Sequence, residues 1–423
     1  MATATKPTSG EPSKTEEKAQ NDGELKKYFA MYTYHANRPT NQELGPDGDK
    51  DARKASVPDF LQREATSNRD FSLSVIATDL TAEDETDLRE FIARRLSRGT
   101  VYGGVGNVNT VDIGSRVMAC YYCLLRQGAH PDIERELEST MDPNSFYTSQ
   151  ECVMCFLSSP TSALELFRPE LDLISEGVLP LMEQKSADPA QIQTHLENWY
   201  EKATQYVCRC VSTLREDVAY LINAALLEIH IEIVGAEQSF KTDIEKFMKA
   251  CSLSDLLQQS CDAASQATSG ASDPILIDID EAGNAQANIR SPSRAAHRSR
   301  LVFENDLHRF ENAEKSWFCE EWSKTLLKGG DTLNPAFLRQ VIEDYKLHTI
   351  QDLNTLKRLI RQAETDHYAL YRAYAFLRDC GCGAILLRHI WKDENTVSAK
   401  DTQNVLNVLE EFISETDSST LAA

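Results

Sequence analysis

The sequence predicts an all-α chain: a multi-helix bundle in two parts, joined by a long flexible linker and preceded by a disordered N-terminal tail. Three observations carry that expectation. Apolar residues recur at three- and four-residue spacing over much of the 423 residues, the period of a helix with one buried face. Several of these stretches open on a capping residue and stop at a glycine. Between them, at 262–300, the composition shifts to Ser, Ala, Asn and Arg, which leaves too little apolar material to form a core.

Residues 1–70 read as mostly disordered or irregular. The first 25 are charged and poor in apolar side chains, and 36–70 are punctuated by Pro, Gly and Asp. A helical domain over 71–261 follows. Thr81 opens TAEDETDLREFIARRLSR, with acids in the first turn, arginines in the last and Gly99 as the stop, a charge order that suits the helix dipole. After the glycine-rich loop GTVYGGVGNVN, the run TVDIGSRVMACYYCLLRQ puts Ile113, Val117, Cys120, Tyr121 and Leu124 on one helical face. Shorter helices are expected at about 131–140, 148–158 and 161–175. From Pro189 to Ala236 the pattern is helical nearly throughout, and its second half is apolar enough for the centre of a bundle. Stretches at 237–250 and 252–261 complete the domain.

The linker over 262–300 exceeds the length of an ordinary loop. A C-terminal helical domain over 301–416 comes next. Its first helix lies in ENDLHRFENAEKSWFCEEWSKTLLKGG and ends at Gly329. Asn334-Pro335 supplies a cap and a first-turn proline for PAFLRQVIEDYKLH. Thr349 heads the next helix, which Gly381 and Gly383 end, and helices at 384–391 and 398–414 follow, the latter with Ser398 and Asp401 as a capping box. Residues 417–423 are a tail.

The net charge of −22 speaks against generic nucleic-acid binding, which needs clustered Lys and Arg. No run of about 18 uncharged apolar residues occurs, so no membrane span is expected. The N-terminus has no apolar segment and many acids, unlike a secretory signal or a mitochondrial presequence. Eleven cysteines in such a chain imply a reducing compartment and no disulfides. No cofactor is expected.

Cys120-Tyr-Tyr-Cys123 and Cys152-Val-Met-Cys155 have the spacing of a four-cysteine zinc site. The pairs enclosed are Tyr-Tyr and Val-Met, in apolar helical runs, where cysteine serves as a small hydrophobe. The expectation is therefore no metal, with Cys120, Cys123, Cys152 and Cys155 as the alternative ligand set. The glycine loop at 99–106 lacks the Lys-Ser/Thr ending of a phosphate loop and reads as a connector. In DCGCG, at 379–383 with His389 nearby, a nucleophilic cysteine competes with a plain glycine cap, and the cap is preferred. No acid–base pair stands out, and no enzyme is expected.

One apolar run falls outside any helical pattern. Ile275-Leu276-Ile277-Asp278-Ile279-Asp280-Glu281 lies inside the linker. Its β-prone core with an internal Asp and flanking acids resembles a SUMO-interaction motif. Such a segment binds by adding as a strand to an exposed sheet edge, with the acids facing a basic rim. Packing on its own chain is the competing reading. Ten residues on, Ser291-Pro292-Ser293-Arg294 matches the proline-directed SPx(K/R) pattern of cyclin-dependent kinases, which marks Ser291 for phosphorylation beside Arg290, Arg298 and Arg300.

These features point to a non-enzymatic helical scaffold or adaptor of a nuclear protein complex. Its partners would be proteins, SUMO or a SUMO-modified protein among them, with neither nucleic acid nor membrane involved; the cytoplasm is the second location. A self-assembling helical coat or nucleocapsid protein, which admits nucleic acid, is the alternative. A zinc-binding or cysteine-dependent enzyme is the third.

Overall fold

The computed structural model describes residues 26–36, 71–101, 103–126, 151–183, 189–258, 277–278, 299–304, 307–329, 333–393 and 400–420. It shows a mixed α/β fold with two β-sheets, which corrects the all-α expectation. Two compact units divide the chain between Trp199 and Tyr200. Among the described residues no helix is long and apolar enough to cross a membrane.

The first unit is built on a five-stranded antiparallel sheet. Its strands are β1 (Tyr28–Ala36), β2 (Phe71–Thr78), β3 (Asn107–Ile113), β4 (Arg116–Arg126) and β5 (Glu151–Ser158), in the order β2-β1-β5-β4-β3. Helix α1 (Ala82–Ser97) follows β2 as its capping signals predict: the Thr81 side chain accepts from the Asp84 N–H, and Gly99 takes a positive φ of 64°. Leu88 and Ile92 of α1 press on one face of the sheet, in a cluster with Ala30, Tyr32, Cys120, Tyr122, Val153 and Cys155. On the other face Phe156 stacks on Trp199 at 4.7 Å. Two 3-10 turns and three helices, α2 (Arg168–Glu176), α3 (Leu179–Glu183) and α4 (Pro189–Leu196), lead towards that residue.

This two-sided cover explains why 116–126 and 151–158 read as helices. A sheet exposed on one face alternates apolar and polar residues; a sheet covered on both faces does not. Residues 118–125 of β4 and 152–158 of β5 are buried without a break, so the period of two vanishes from the sequence. Val117, placed with Cys120 on one helical stripe, is 57% exposed at the start of β4. The sequence DIGSR is a two-residue hairpin: Ile113 pairs with Arg116, and Gly114 turns the chain at φ 58°, a conformation glycine adopts without strain. The Gly114 N–H donates to Asp87 of α1 at 2.8 Å, which ties the hairpin to the helix.

The stretch from 189 to 236, which reads as helical nearly throughout, as one helix or two in sequence, is interrupted more often than that and ends in a strand. Apart from Trp199, helix α5 (Trp199–Leu214) belongs to the second unit; a 3-10 turn separates it from α6 (Val218–Leu227), and β6 (Ile231–Val234) follows. The β-branched IEIV leaves the helix once Glu228 adopts a left-handed φ of 50°. Helices α7 (Gln238–Cys251) and α8 (Ser254–Gln258) precede a second sheet, of order β7-β6-β8-β9, with β7 (Ile277–Asp278), β8 (Ser299–Glu304) and β9 (Leu307–Glu311). Helices α9 (Trp317–Leu327), α10 (Pro335–Ala363), α11 (His367–Cys380), α12 (Gly383–Lys392) and α13 (Lys400–Thr420) complete the unit. Asn334 caps α10 through the Ala336 N–H, as expected. Thr349 heads no helix: α10 runs through it, its hydroxyl donates to the Tyr345 carbonyl at 2.8 Å, and the break falls at Asp366.

Candidate functional site

The cysteines resolve first. In a strand, residues three apart point to opposite faces, so a CxxC spacing cannot chelate as it does in a turn. Cys120 and Cys155 sit on the α1 side of the sheet, in hydrogen-bonding contact with each other. By the same alternation Cys123 and Cys152 fall on the opposite side. The two motifs thus give two pairs with the sheet between them. All four thiols are free and buried, and among the described residues no group of three or more His, Cys, Asp or Glu could hold a metal. Burial pushes the Cys123 thiol up to about 11 and that of Cys152 up to about 12, which disfavours the thiolate that reacts or ligates.

Of residues 275–281, Ile277 and Asp278 are described, as β7. They pair parallel with β6, Glu232 with Ile277 and Ile233 with Asp278. Ile275, Leu276, Ile279, Asp280 and Glu281 lie outside the described residues, as do Ser291 and Arg290. Ile277 and Asp278 thus form a strand at the edge of the second sheet. Arg300, one of the arginines near Ser291, is in β8 within 3.8 Å of both Glu232 and Glu311.

The glycine-rich loop has a purpose that sequence reasoning missed. The Gly106 N–H donates to Asp172 Oδ1 at 2.8 Å, and the Tyr121 hydroxyl donates to the same oxygen at 2.5 Å. A Cβ at Gly106 would lie 2.1 Å from the Tyr121 ring. Glycine is needed because a buried tyrosine passes over the backbone to reach a carboxylate, and no phosphate is involved in that explanation. The signal, a Tyr on β4 and an Asp on α2, is non-local and invisible along the chain.

The second unit holds an equally non-local polar cluster. Arg339 and Lys346 of α10 are 4% and 5% exposed. The Arg339 guanidinium donates to the Tyr206 hydroxyl at 3.1 Å and lies 3.3 Å from Glu343. Lys346 Nζ donates to the Ala250 carbonyl at 3.1 Å, near the end of α7, and lies 3.7 Å from Glu343. One carboxylate thus serves two buried cations. On the exposed side of α10, Asn354, Lys357, Arg358, Arg361 and Gln362 border an open hollow of about 490 Å³; Lys357 also pairs with Asp393 at 2.6 Å.

His389 of α12 is not near a catalytic group. Its ring nitrogen Nε2 meets the Leu226 carbonyl at 2.7 Å, the geometry of a neutral ring donating to the last turn of α6. Burial holds it below its ordinary value, outweighing the opposite pull of Glu228. The folded ring then refuses a proton that the unfolded chain accepts below about pH 6.5. The contribution is complete above that pH and is lost as pH falls towards the folded value. Urea midpoints at pH 7.5 and 5.5 should differ less in His389→Gln than in wild type; equal differences would show that the ring is not held neutral.

Compared with known proteins, residues 29–415 match the model of the Njmu-R1-like protein family. The chain is 34% identical over 394 residues to the curated mouse (Mus musculus) Protein Njmu-R1, an alignment covering 92% of this chain and 90% of that one. No solved structure matches.

Proposed function

The chain belongs to the Njmu-R1-like protein family, and on that premise we propose that it works as a non-enzymatic scaffold or adaptor of a nuclear protein complex, docking through the segment 275–281. The family match spans 29–415, so this segment lies within the family's own extent and is not an appendage to it. The observation that carries the reading is the pairing of β7. Two residues of this segment form a parallel strand against β6. That is the backbone conformation which strand addition to a foreign edge requires.

The pairing is short. Each hydrogen bond contributes on the order of 1 kcal/mol net, while ordering each backbone residue costs about 1–2 kcal/mol. Backbone pairing alone does not repay that ordering, so a partner edge outcompetes β6 by also burying apolar side chains of Ile275–Glu281 in a groove. The acids Asp278, Asp280 and Glu281 suit a basic rim on that partner, and Ser291 is the position where phosphate would change the charge beside it. The SPxR pattern and the neighbouring arginines are the grounds for a nuclear location.

The test is a calorimetric titration of the full chain with purified SUMO, alongside recovery of SUMO-modified proteins from nuclear extract. Saturable binding is expected, weakened at least about tenfold when Ile275, Leu276 and Ile277 become Ala, as for anchor residues of other interfaces. Absence of binding by the wild type overturns SUMO docking. Large particles of the pure chain in light scattering would favour the coat-protein reading instead.

A further inference from the structure

Two cysteines, Cys380 and Cys382, flank the junction of α11 and α12. Nine of the ten described cysteines are buried, and Cys380 alone is half-buried. It is the last residue of α11, Gly381 is left-handed with φ 69°, and Cys382 is the residue that precedes α12. This turn sets Cys380 and Cys382 side by side as interacting thiols, with Cys380 Sγ donating to the Leu377 carbonyl at 3.2 Å.

Both glycines are required for that arrangement. A Cβ on Gly381 would lie 2.6 Å from the Trp317 ring, and one on Gly383 would lie 2.8 Å from the Leu377 carbonyl. The glycines that read as a plain helix stop are thus the walls of a dithiol turn. The histidine beside it comes from another element. Cys382 Sγ lies 3.9 Å from Asp352 Oδ2 on α10, and His348 Nε2 lies 3.5 Å from the same oxygen. The interaction with Cys382 lowers the Cys380 thiol and, ahead of burial, raises that of Cys382, whereas burial is what raises Cys155, Cys210 and Cys319. The N-terminus of α12, ten residues long, adds a favourable dipole beside the pair.

We propose that Cys380 and Cys382 form a thiol–disulfide exchange site for low-molecular-weight disulfides. The Cys380 thiolate attacks one sulfur of R–S–S–R; a Cys380–S–S–R bond forms and RS⁻ leaves. Cys382 passes its proton to Asp352 and attacks the Cys380 sulfur. The Cys380–Cys382 disulfide forms, the second RS⁻ leaves, and the protons of the two cysteines end on the two released thiolates. Two protein thiols are oxidised and one disulfide is reduced to two thiols. The site is separate from the segment 275–281, so it stands or falls independently of the docking function.

The experiment uses the full chain carrying Cys261→Ser, which removes the one cysteine outside the described residues. Reduced protein at pH 7 is exposed to a limiting pulse of iodoacetamide or, separately, to oxidised glutathione, and peptides are weighed after denaturing alkylation. Cys380 should alkylate at least about tenfold faster than any other described cysteine, since the reagent reaches a half-buried thiol and not the buried ones. With oxidised glutathione, the peptide bearing both cysteines should lose two hydrogens while the others remain reduced. In Cys382→Ser the glutathione adduct should instead persist on Cys380. If that variant does not fold, the wild-type masses decide. Alkylation of Cys380 at the rate of the rest, or an adduct that persists in the wild type without closing, overturns the proposal.

Discussion

Gly106→Ala should lower the stability of the first unit by about 3–5 kcal/mol, read as a fall in the urea midpoint of its unfolding. The new methyl group would overlap Cε2, Cζ and Oη of Tyr121, at 2.1, 2.3 and 2.5 Å. That ring has no room to retreat: it is 0% exposed and packs on Phe156 with centroids 5.6 Å apart. Overpacking of this kind costs about 1–3 kcal/mol. Moving the ring also breaks its hydrogen bond to the Asp172 carboxylate, worth about 1.5–3 kcal/mol for a charged acceptor. Gly103→Ala is the control. Its nearest neighbour would be the Leu124 carbonyl at an ordinary 3.7 Å, so a change within about 0.5 kcal/mol is expected. Equal midpoints for the two variants would refute the claim that Tyr121 dictates a glycine at 106.

Glu343→Ala should destabilise the second unit by about 2–4 kcal/mol. Removing one member of a buried ion pair strands its partner without water, at about 3–5 kcal/mol when burial is complete. Here two cations, Arg339 and Lys346, share the acid, whose own side chain is 31% exposed, so the lower part of that range applies. Replacing all three together by Met or Leu should cost less than the single change, because no charge is then left in the interior. The comparison is made by urea unfolding at one pH. A triple variant weaker than Glu343→Ala would show that the cluster contributes more than mutual neutralisation.

The parts of the fold legible in sequence are those whose signals are local. Thr81, the acids after it and Gly99 bound α1, and Asn334-Pro335 start α10, because a cap acts on the first turn beside it. The strands were hidden by the absence of a signal that a one-sided sheet would have shown. VMACYYCLL and CVMCFL face packing on both sides, so they lost the alternation that separates a strand from a buried helix. The strand IEIV was masked by the apolar helix before it, although its β-branched residues favour an extended chain. At Ile277 and Asp278 the strand character is legible, whereas the edge that they meet, β6, belongs to a distant part of the chain. Gly381 reads as a helix stop and caps α11, whereas Gly383 begins α12, and Asp352 and Trp317 beside this turn come from other helices.

The order of the first sheet also dictates a schedule. Its central pair joins β1 to β5, with Tyr28 opposite Leu157, so the two middle strands are separated by most of the unit's length. A ribosome adding about 5–20 residues per second needs on the order of ten seconds between completing one and completing the other. Through that interval β1 has β2 on one flank and nothing on the other. Phe29 and Met31, which end with no more than 2% of their surface exposed, would then face water beside an open edge. The newborn chain thus passes through a vulnerable window before its fifth strand arrives, when chaperone occupancy and aggregation are decided together.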